Sequence, residues 1–346
     1  MRWANILMSA LLLTLPGLAY AENIDKQKDA ADSNEIEYKV CYDFKPRLKW
    51  HQTLFRVKPF ETVLTVNLPK TIPSKQEIIE IKFDPEPDRV FSQSGNDYAD
   101  FAVSVGKKEV NIKIHVRANV FRYDLATAMK QGQKPSENEP NLTLFLQPER
   151  MIESNDAPIQ KLAEDINGTS ELEIVRSIYD FVISYLEVDV SRLKGIGAAK
   201  TAWEKKGMCI DYCDLFVALC RARQIPARVV AGYRAHFTVS PKHSWVEVYL
   251  PEYGWVPFDP SQLKTKTKDH LDSKFYNFEP QLLYFTKIRN DTVLQYNYFY
   301  IYSGLDKKET FSRIYPPVEK IEFIKPMHKT HDSLEDEKRA KTYKGS

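Results

Sequence analysis

The chain has 346 residues, with 49 Lys+Arg against 47 Asp+Glu, a formal net charge of +2 and four cysteines. So even a charge balance, with no basic stripe, argues against nucleic acid as a partner and leaves membrane adsorption without an electrostatic driver. Four cysteines in this length call for no dense disulfide framework.

Arg2, an apolar stretch from Ile6 to Leu18 and Ala19-Tyr20-Ala21 before Glu22 form the pattern of an export signal over residues 1–21. The apolar stretch is too short to span a bilayer, and no other segment approaches that length, so no integral membrane segment is expected after cleavage. No cysteine lies near the cleavage site, so a lipid anchor is not indicated. The expected product is a soluble periplasmic or secreted chain of about two domains. Residues 22–35 are charged and poor in large apolar side chains, which reads as a disordered leader.

Residues 36–148 carry a β pattern. Val110, Ile112, Ile114 and Val116 alternate with polar residues, and Glu61 to Leu68, Glu77 to Phe83 and Tyr98 to Val105 look similar between Pro-, Gly- and Asp-rich turns. Short strands at this spacing predict an antiparallel sandwich, with residues 124–148 as a polar connector. His115 is expected to face solvent and is given no role.

The period changes in residues 149–325. Ser170 and Glu173 form a capping-box pattern before a helix with apolar Ile174, Ile178, Phe181, Val182 and Tyr185. Ala198 to Lys206 reads as a short helix and Cys209 to Gln224 as a longer one, with Cys209, Cys213, Phe216 and Cys220 on one face. Strands are predicted at Ala227 to Tyr233, Ser244 to Leu250, Trp255 to Phe258, Leu282 to Arg289 and Val293 to Tyr302. Helices followed by hairpin-linked strands predict an α+β domain rather than a parallel sheet. Residues 326–346 are rich in Lys and Glu and read as a flexible tail.

Cys209 is the residue with the most evident chemistry. It follows Gly207-Met208 and opens a helix, whose N-terminal dipole favours thiolate and whose backbone N–H groups can hold an oxyanion. His243 and Asp259 follow in the order base, then orienting carboxylate. They lie on two strands joined by Pro251-Glu252-Tyr253-Gly254, so their meeting depends on register. Leu250 opposite Trp255 would turn Asp259 away from His243; Tyr249 opposite Trp255 would make the two diagonal neighbours on one face. Cys213 and Cys220 read as core residues, His236 as a fallback base, and Cys41, Cys213 and Cys220 as the available redox partners. A metal site of Cys209, Cys213 and a histidine lacks the usual zinc spacings, so no metal or cofactor is expected.

Gly207-Met-Cys-Ile-Asp-Tyr212, Arg221 to Tyr233, His243-Ser-Trp-Val-Glu-Val-Tyr249 and Gly254-Trp-Val-Pro-Phe-Asp-Pro260 together resemble the core of the transglutaminase-like superfamily, over roughly residues 155–305. The resemblance implies a papain-like catalytic core behind a β-sandwich, with Cys209 as nucleophile, His243 as base and Asp259 as orienting acid. Cys213 departs from the small residue common there. Trp203 is a candidate indole donor to the oxyanion, and Trp245 a packing residue or cleft wall. The implied activity is cysteine-dependent hydrolysis or acyl transfer on amide bonds of a peptide or protein substrate, with peptidase or amidase action favoured over cross-linking. A non-catalytic binding protein on the same fold is the competing expectation, and thiol-redox chemistry through Cys209 and Cys213 a third.

Overall fold

The computed structural model describes residues 33–44, 60–105, 109–131, 141–189, 191–192, 194–235, 241–261, 267–304 and 317–324. The export signal, most of the leader, His236 and the tail beyond 324 lie outside the described residues. The first half is built of β1 (Ser33–Phe44), β2 (Phe60–Leu68), β3 (Gln76–Asp84), β4 (Arg89–Gln93), β5 (Asn96–Val105), β6 (Val110–Phe121) and the short β7 (Tyr123–Asp124). Helix α1 (Leu125–Gln131) and a 3-10 turn (Leu142–Leu146) fall in the expected connector. Then come α2 (Ala157–Glu164), α3 (Glu171–Tyr185), β8 (Glu187–Val188), α4 (Ala198–Glu204), β9 (Lys206–Gly207) and α5 (Cys209–Ala222). The last part holds β10 (Ala227–Arg234), β11 (Lys242–Leu250), β12 (Gly254–Phe258), α6 (Lys268–Tyr276), β13 (Asn277–Phe278), β14 (Leu282–Thr286), β15 (Tyr300–Gly304) and β16 (Val318–Phe323).

Two four-stranded antiparallel sheets, in the orders β16-β1-β6-β3 and β15-β2-β5-β4, face each other. The alternation read from the sequence is what packs them: Ile36, Tyr38, Val40 and Tyr42 of β1 and Ile112, Ile114 and Val116 of β6 turn inward against Leu64, Val66, Phe101 and Val103. His115 points outward, where Nε2 meets Glu37 Oε1 at 2.8 Å. One edge strand of each sheet comes from the far end of the chain: β15 pairs with β2, and β16 with β1. The β1 strand also starts at Ser33, inside the stretch expected to be leader.

The second half is α+β as expected, a β12-β11-β10-β14 antiparallel sheet with helices packed on it. Helix α5 lies at the centre, and every residue from Ile210 to Arg221 is buried. The expected one-sided cysteine face is therefore only part of a helix wrapped on all sides. Ser170 caps α3 by accepting from the Glu173 N–H at 3.2 Å, and the Glu173 carboxylate turns back to accept from Thr169 N at 2.8 Å, next to the Ser170 N–H. The strand expected at Val293 to Tyr302 begins only at Tyr300. Before it, Asp291 Oδ1 accepts from the backbone of Val293 and Leu294, and Gln295 and Tyr296 take positive φ, so the chain turns there.

The two halves share polar as well as apolar contacts. Lys75, just before β3, places Nζ 2.5 Å from Glu247 Oε1 on β11, and Arg228 on β10 reaches Oε2 through Nε at 2.8 Å. Glu247 is fully buried. Burial would raise its carboxyl, yet Lys75, Arg228 and Lys287 hold it down at about 2. Removing one member of such a set strands the others in a poorly solvating interior. We therefore expect Glu247→Ala to lower unfolding free energy by about 3–5 kcal/mol. Arg89→Ala, which breaks the exposed Arg89–Asp100 pair, should cost no more than about 1 kcal/mol. Urea unfolding of the two variants checks the contrast.

Candidate active site

Three elements deliver the residues singled out by the sequence. Cys209 is the first residue of α5, behind Met208 in extended conformation. The Asp211 carboxylate closes this helix start, accepting from the N–H of Met208 at 3.0 Å and of Ile196 at 2.8 Å. Gly207 is required here for space: a Cβ on it would lie 2.5 Å from Asp211 Cβ.

His243 sits near the start of β11 and Asp259 just beyond β12. The hairpin between them pairs Leu250 with Gly254, Tyr249 with Trp255 and Val246 with Phe258. Of the two registers open from the sequence, this one makes Asp259 a diagonal neighbour of His243. Gly254, at φ +72°, occupies the left-handed region that a side chain resists, and so lets the chain enter β12 in this register.

His243 Nε2 lies 2.8 Å from Asp259 Oδ2. The ring also lies beside the Cys209 thiol, close enough for each to shift the other. With Nε2 turned to the carboxylate, Nδ1 is the nitrogen left for sulfur. Asp259 Oδ1 accepts from Ser261 Oγ at 2.6 Å and Ser261 N at 3.1 Å, and Arg234 Nη2 donates to Oδ2 at 2.9 Å. Both carboxylate oxygens thus hold two donors.

Each group is shifted by its neighbours. Burial alone would raise the Cys209 thiol, but the hydrogen bond and charge of His243, with the Ser244 backbone N–H, more than offset it, and the net shift is down. Burial and the Arg234 cation push the His243 imidazole down; Asp259 and Cys209 outweigh them, and the net shift is up. Burial would also raise Asp259, yet His243, Arg234 and Ser261 hold its carboxyl far below the usual carboxylate range. Down for the thiol and up for the imidazole is the pattern that favours a thiolate–imidazolium pair at neutral pH.

Trp245 is fully buried, with its ring plane 24° from that of His243 at 6.3 Å between centroids and edge-on to Tyr284 at 4.8 Å. It acts as packing behind the histidine. Trp203 is 86% exposed on α4, outside the packed interior, which is not where a buried indole donor would be held. Arg234 and Ser261, both on the Asp259 carboxylate, were not singled out from the sequence. Only the pairing of Gly232 with His243 reveals that Arg234 shares the histidine's face. All four cysteines are free; Cys213 and Cys220 are buried with their thiols pushed up, and Cys41 is raised to about 11 by burial and Asp43. A buried, protonated Cys213 is poorly suited to attack a Cys209 sulfur. Among the described residues, no group of three or more His, Cys, Asp or Glu could hold a metal ion.

Residues 160–260 match the family described as the transglutaminase-like superfamily. The chain carries a transglutaminase-like domain. The matched segment spans α2 to just past β12 and contains Cys209, His243 and Asp259. Two curated relatives resemble this domain over a short stretch. YebA of Bacillus subtilis, whose function is uncharacterised, is 39% identical over 72 residues, 17% of this chain and 10% of that protein. A protein-glutamine gamma-glutamyltransferase of Pseudomonas aeruginosa is 37% identical over 68 residues, 16% of this chain and 10% of that protein. The chain thus matches a tenth of the length of these relatives. The crystal structure of a candidate cysteine protease from Cytophaga hutchinsonii superposes with TM-score 0.53 and 18% identity, covering 84% of this chain and 98% of that one. That likeness extends the shared fold beyond the transglutaminase-like domain into the sandwich.

The shifts make a concrete prediction about the thiols. In the reduced protein at neutral pH, iodoacetamide is expected to label Cys209 before Cys41. The Cys209 rate should reach half its plateau below the ordinary thiol range of about 8–9, whereas Cys41 should keep gaining reactivity up to about pH 11. His243→Ala should move the Cys209 midpoint upward. Peptide mass spectrometry of both proteins reads all three outcomes.

Proposed function

We propose that this is an exported enzyme that breaks amide bonds of peptides or proteins through a thioester on Cys209, with hydrolysis favoured over cross-linking. The observation that carries the reading is the His243 ring, which meets the Asp259 carboxylate at 2.8 Å and lies beside the Cys209 thiol. In the first half-reaction the thiolate attacks the carbonyl carbon, and the carbonyl electrons move onto oxygen. The N-terminus of α5, beginning with the Cys209 N–H, faces that oxyanion. Collapse breaks the C–N bond as the His243 imidazolium gives its proton to the departing amine. In the second, His243 takes a proton from the acceptor, which attacks the thioester and releases the Cys209 thiolate. Asp259 stays ionised throughout, holding the ring's tautomer and balancing its positive charge.

Water as acceptor makes the enzyme a peptidase or amidase; a lysine amine makes it a cross-linker. The names attached to its relatives divide between the two, one a protease by fold likeness and one a glutamyltransferase over a short stretch. Hydrolysis is favoured because the superfamily includes peptidases, amidases and peptide N-glycanases beside the cross-linking enzymes. Export rests on residues 1–21.

The test is a mixed protein substrate incubated with the enzyme and a labelled primary amine, with Cys209→Ala as control. New termini or free ammonia without amine incorporation mark a hydrolase; incorporation of the label marks a transferase. His243→Ala should lower either activity by about 10²–10⁴-fold. A Cys209 that labels no faster than an ordinary thiol, with no change in the substrate mixture, would leave a binding protein on this fold as the better account.

A further inference from the structure

Arg234 is the last residue of β10, two beyond Gly232, which pairs with His243. Alternation places Arg234 and His243 on one face as diagonal neighbours. Arg234 Nη2 lies 2.9 Å from Asp259 Oδ2 and 2.6 Å from His243 Nε2. Its side chain is 17% exposed, against 10% for each of the other two, so water screens the three charges poorly. Nε2 directs its proton to Oδ2 and cannot also accept one from Arg234. Two donors therefore converge on one carboxylate oxygen, with a permanent cation against the ring edge that gains positive charge when His243 is protonated.

We propose that Arg234 is a positioning residue of this site: it clamps the Asp259 carboxylate against the His243 ring and limits how firmly the imidazolium keeps its proton. The proposal rests on the acyl-transfer reading above. A buried carboxylate alone would hold the imidazolium tightly, and a proton held tightly is given slowly to a leaving amine. A second cation sharing Oδ2 weakens that hold without displacing the carboxylate. Charged and titratable groups meet His243 from three elements: Cys209 from α5, Asp259 beyond β12 and Arg234 from β10. On β11 itself, Trp245 is neutral, and Lys242 points away to Glu319 and the rings of Phe299 and Tyr300. Both contacts run through the one nitrogen Nη2, so the guanidinium acts on the pair as a single fixed positive charge.

The experiment is an NMR titration of the histidine rings in the full chain, which has 7 histidines, with the His243 signal assigned by its loss in His243→Ala. Arg234→Gln, which keeps a donor but no charge, should raise the His243 midpoint by about one pH unit, tenfold in proton affinity. Arg234→Lys should stay within about 0.3 unit of wild type. Asp259→Asn with Arg234 intact should drop the midpoint below the ordinary value of about 6.5, because burial and the cation then act unopposed, and adding Arg234→Gln to it should bring the midpoint part of the way back. Arg234→Met, a second neutral replacement, reads the same charge should Arg234→Gln fold poorly. An unchanged midpoint in Arg234→Gln, equal shifts in the Gln and Lys variants, or a return to about 6.5 in Asp259→Asn would each overturn the proposal. The reading beneath it fails separately, if alkylation of Cys209 in wild type leaves the His243 titration unmoved.

Discussion

The pairing of Tyr249 with Trp255 is the constraint on which the site depends. Side chains on a strand alternate, so a slip of one residue would send Asp259 to the opposite face from His243. The same slip would take Val256 and Phe258, both fully buried, from the core around α5 to the face where Trp255 packs on Phe145 and Tyr249. Hydrophobic burial on one face of β12 and the meeting of carboxylate and imidazole at its end are therefore one choice. The core enforces the register, and the polar contact inherits it.

A second consistency concerns charge around α5. A helix that presents its N-terminus to a thiolate would be undermined by an unpaired carboxylate beside it, and Asp211 stands two residues away. Its oxygens are occupied by the backbone N–H groups of Met208 and Ile196. Asp214 is likewise tied to Arg289 through both carboxylate oxygens, at 2.7 and 3.1 Å. The negative charges near the helix start are thus spent on locking its geometry, while His243 lies on the open side, next to the sulfur. Fixing such groups beforehand is how a site avoids reorganising during reaction.

Those parts of the molecule governed by local pattern were legible from the sequence. The alternation around Ile114, the cap at Ser170, the helix beginning at Cys209 and the hairpin after Leu250 follow from spacing and turn chemistry over a few residues. The register of that hairpin stayed open because the four residues between its strands fit two pairings, and only the packing of Phe258 decides. Arg234 escaped notice for a related reason: nothing near it in sequence marks it, and its partners are 9 and 25 residues away. The segment after Val293 misled because its apolar residues suit a strand, while Asp291 draws the backbone into a turn. The strand expected at Val293 to Tyr302 was read with the second half because chain order suggested it, and β16 was not read as a strand at all; the hydrogen-bond partners of β15 and β16 lie at the other end of the sequence. Long-range pairing leaves no local trace, since many edges could accept the same short strand.

The return of β15 and β16 to the sandwich has a consequence for how the molecule is made. Seen from the sandwich, the transglutaminase-like domain is an insertion between β6 and β15. Until those last strands arrive, β1 and β2 each lack a neighbour and present a row of unpaired backbone groups. A chain synthesised from its N-terminus carries both sheets incomplete until the residues of β15 and β16 have been added. Closing the sandwich therefore requires strands that follow the nucleophile-bearing helix in the chain.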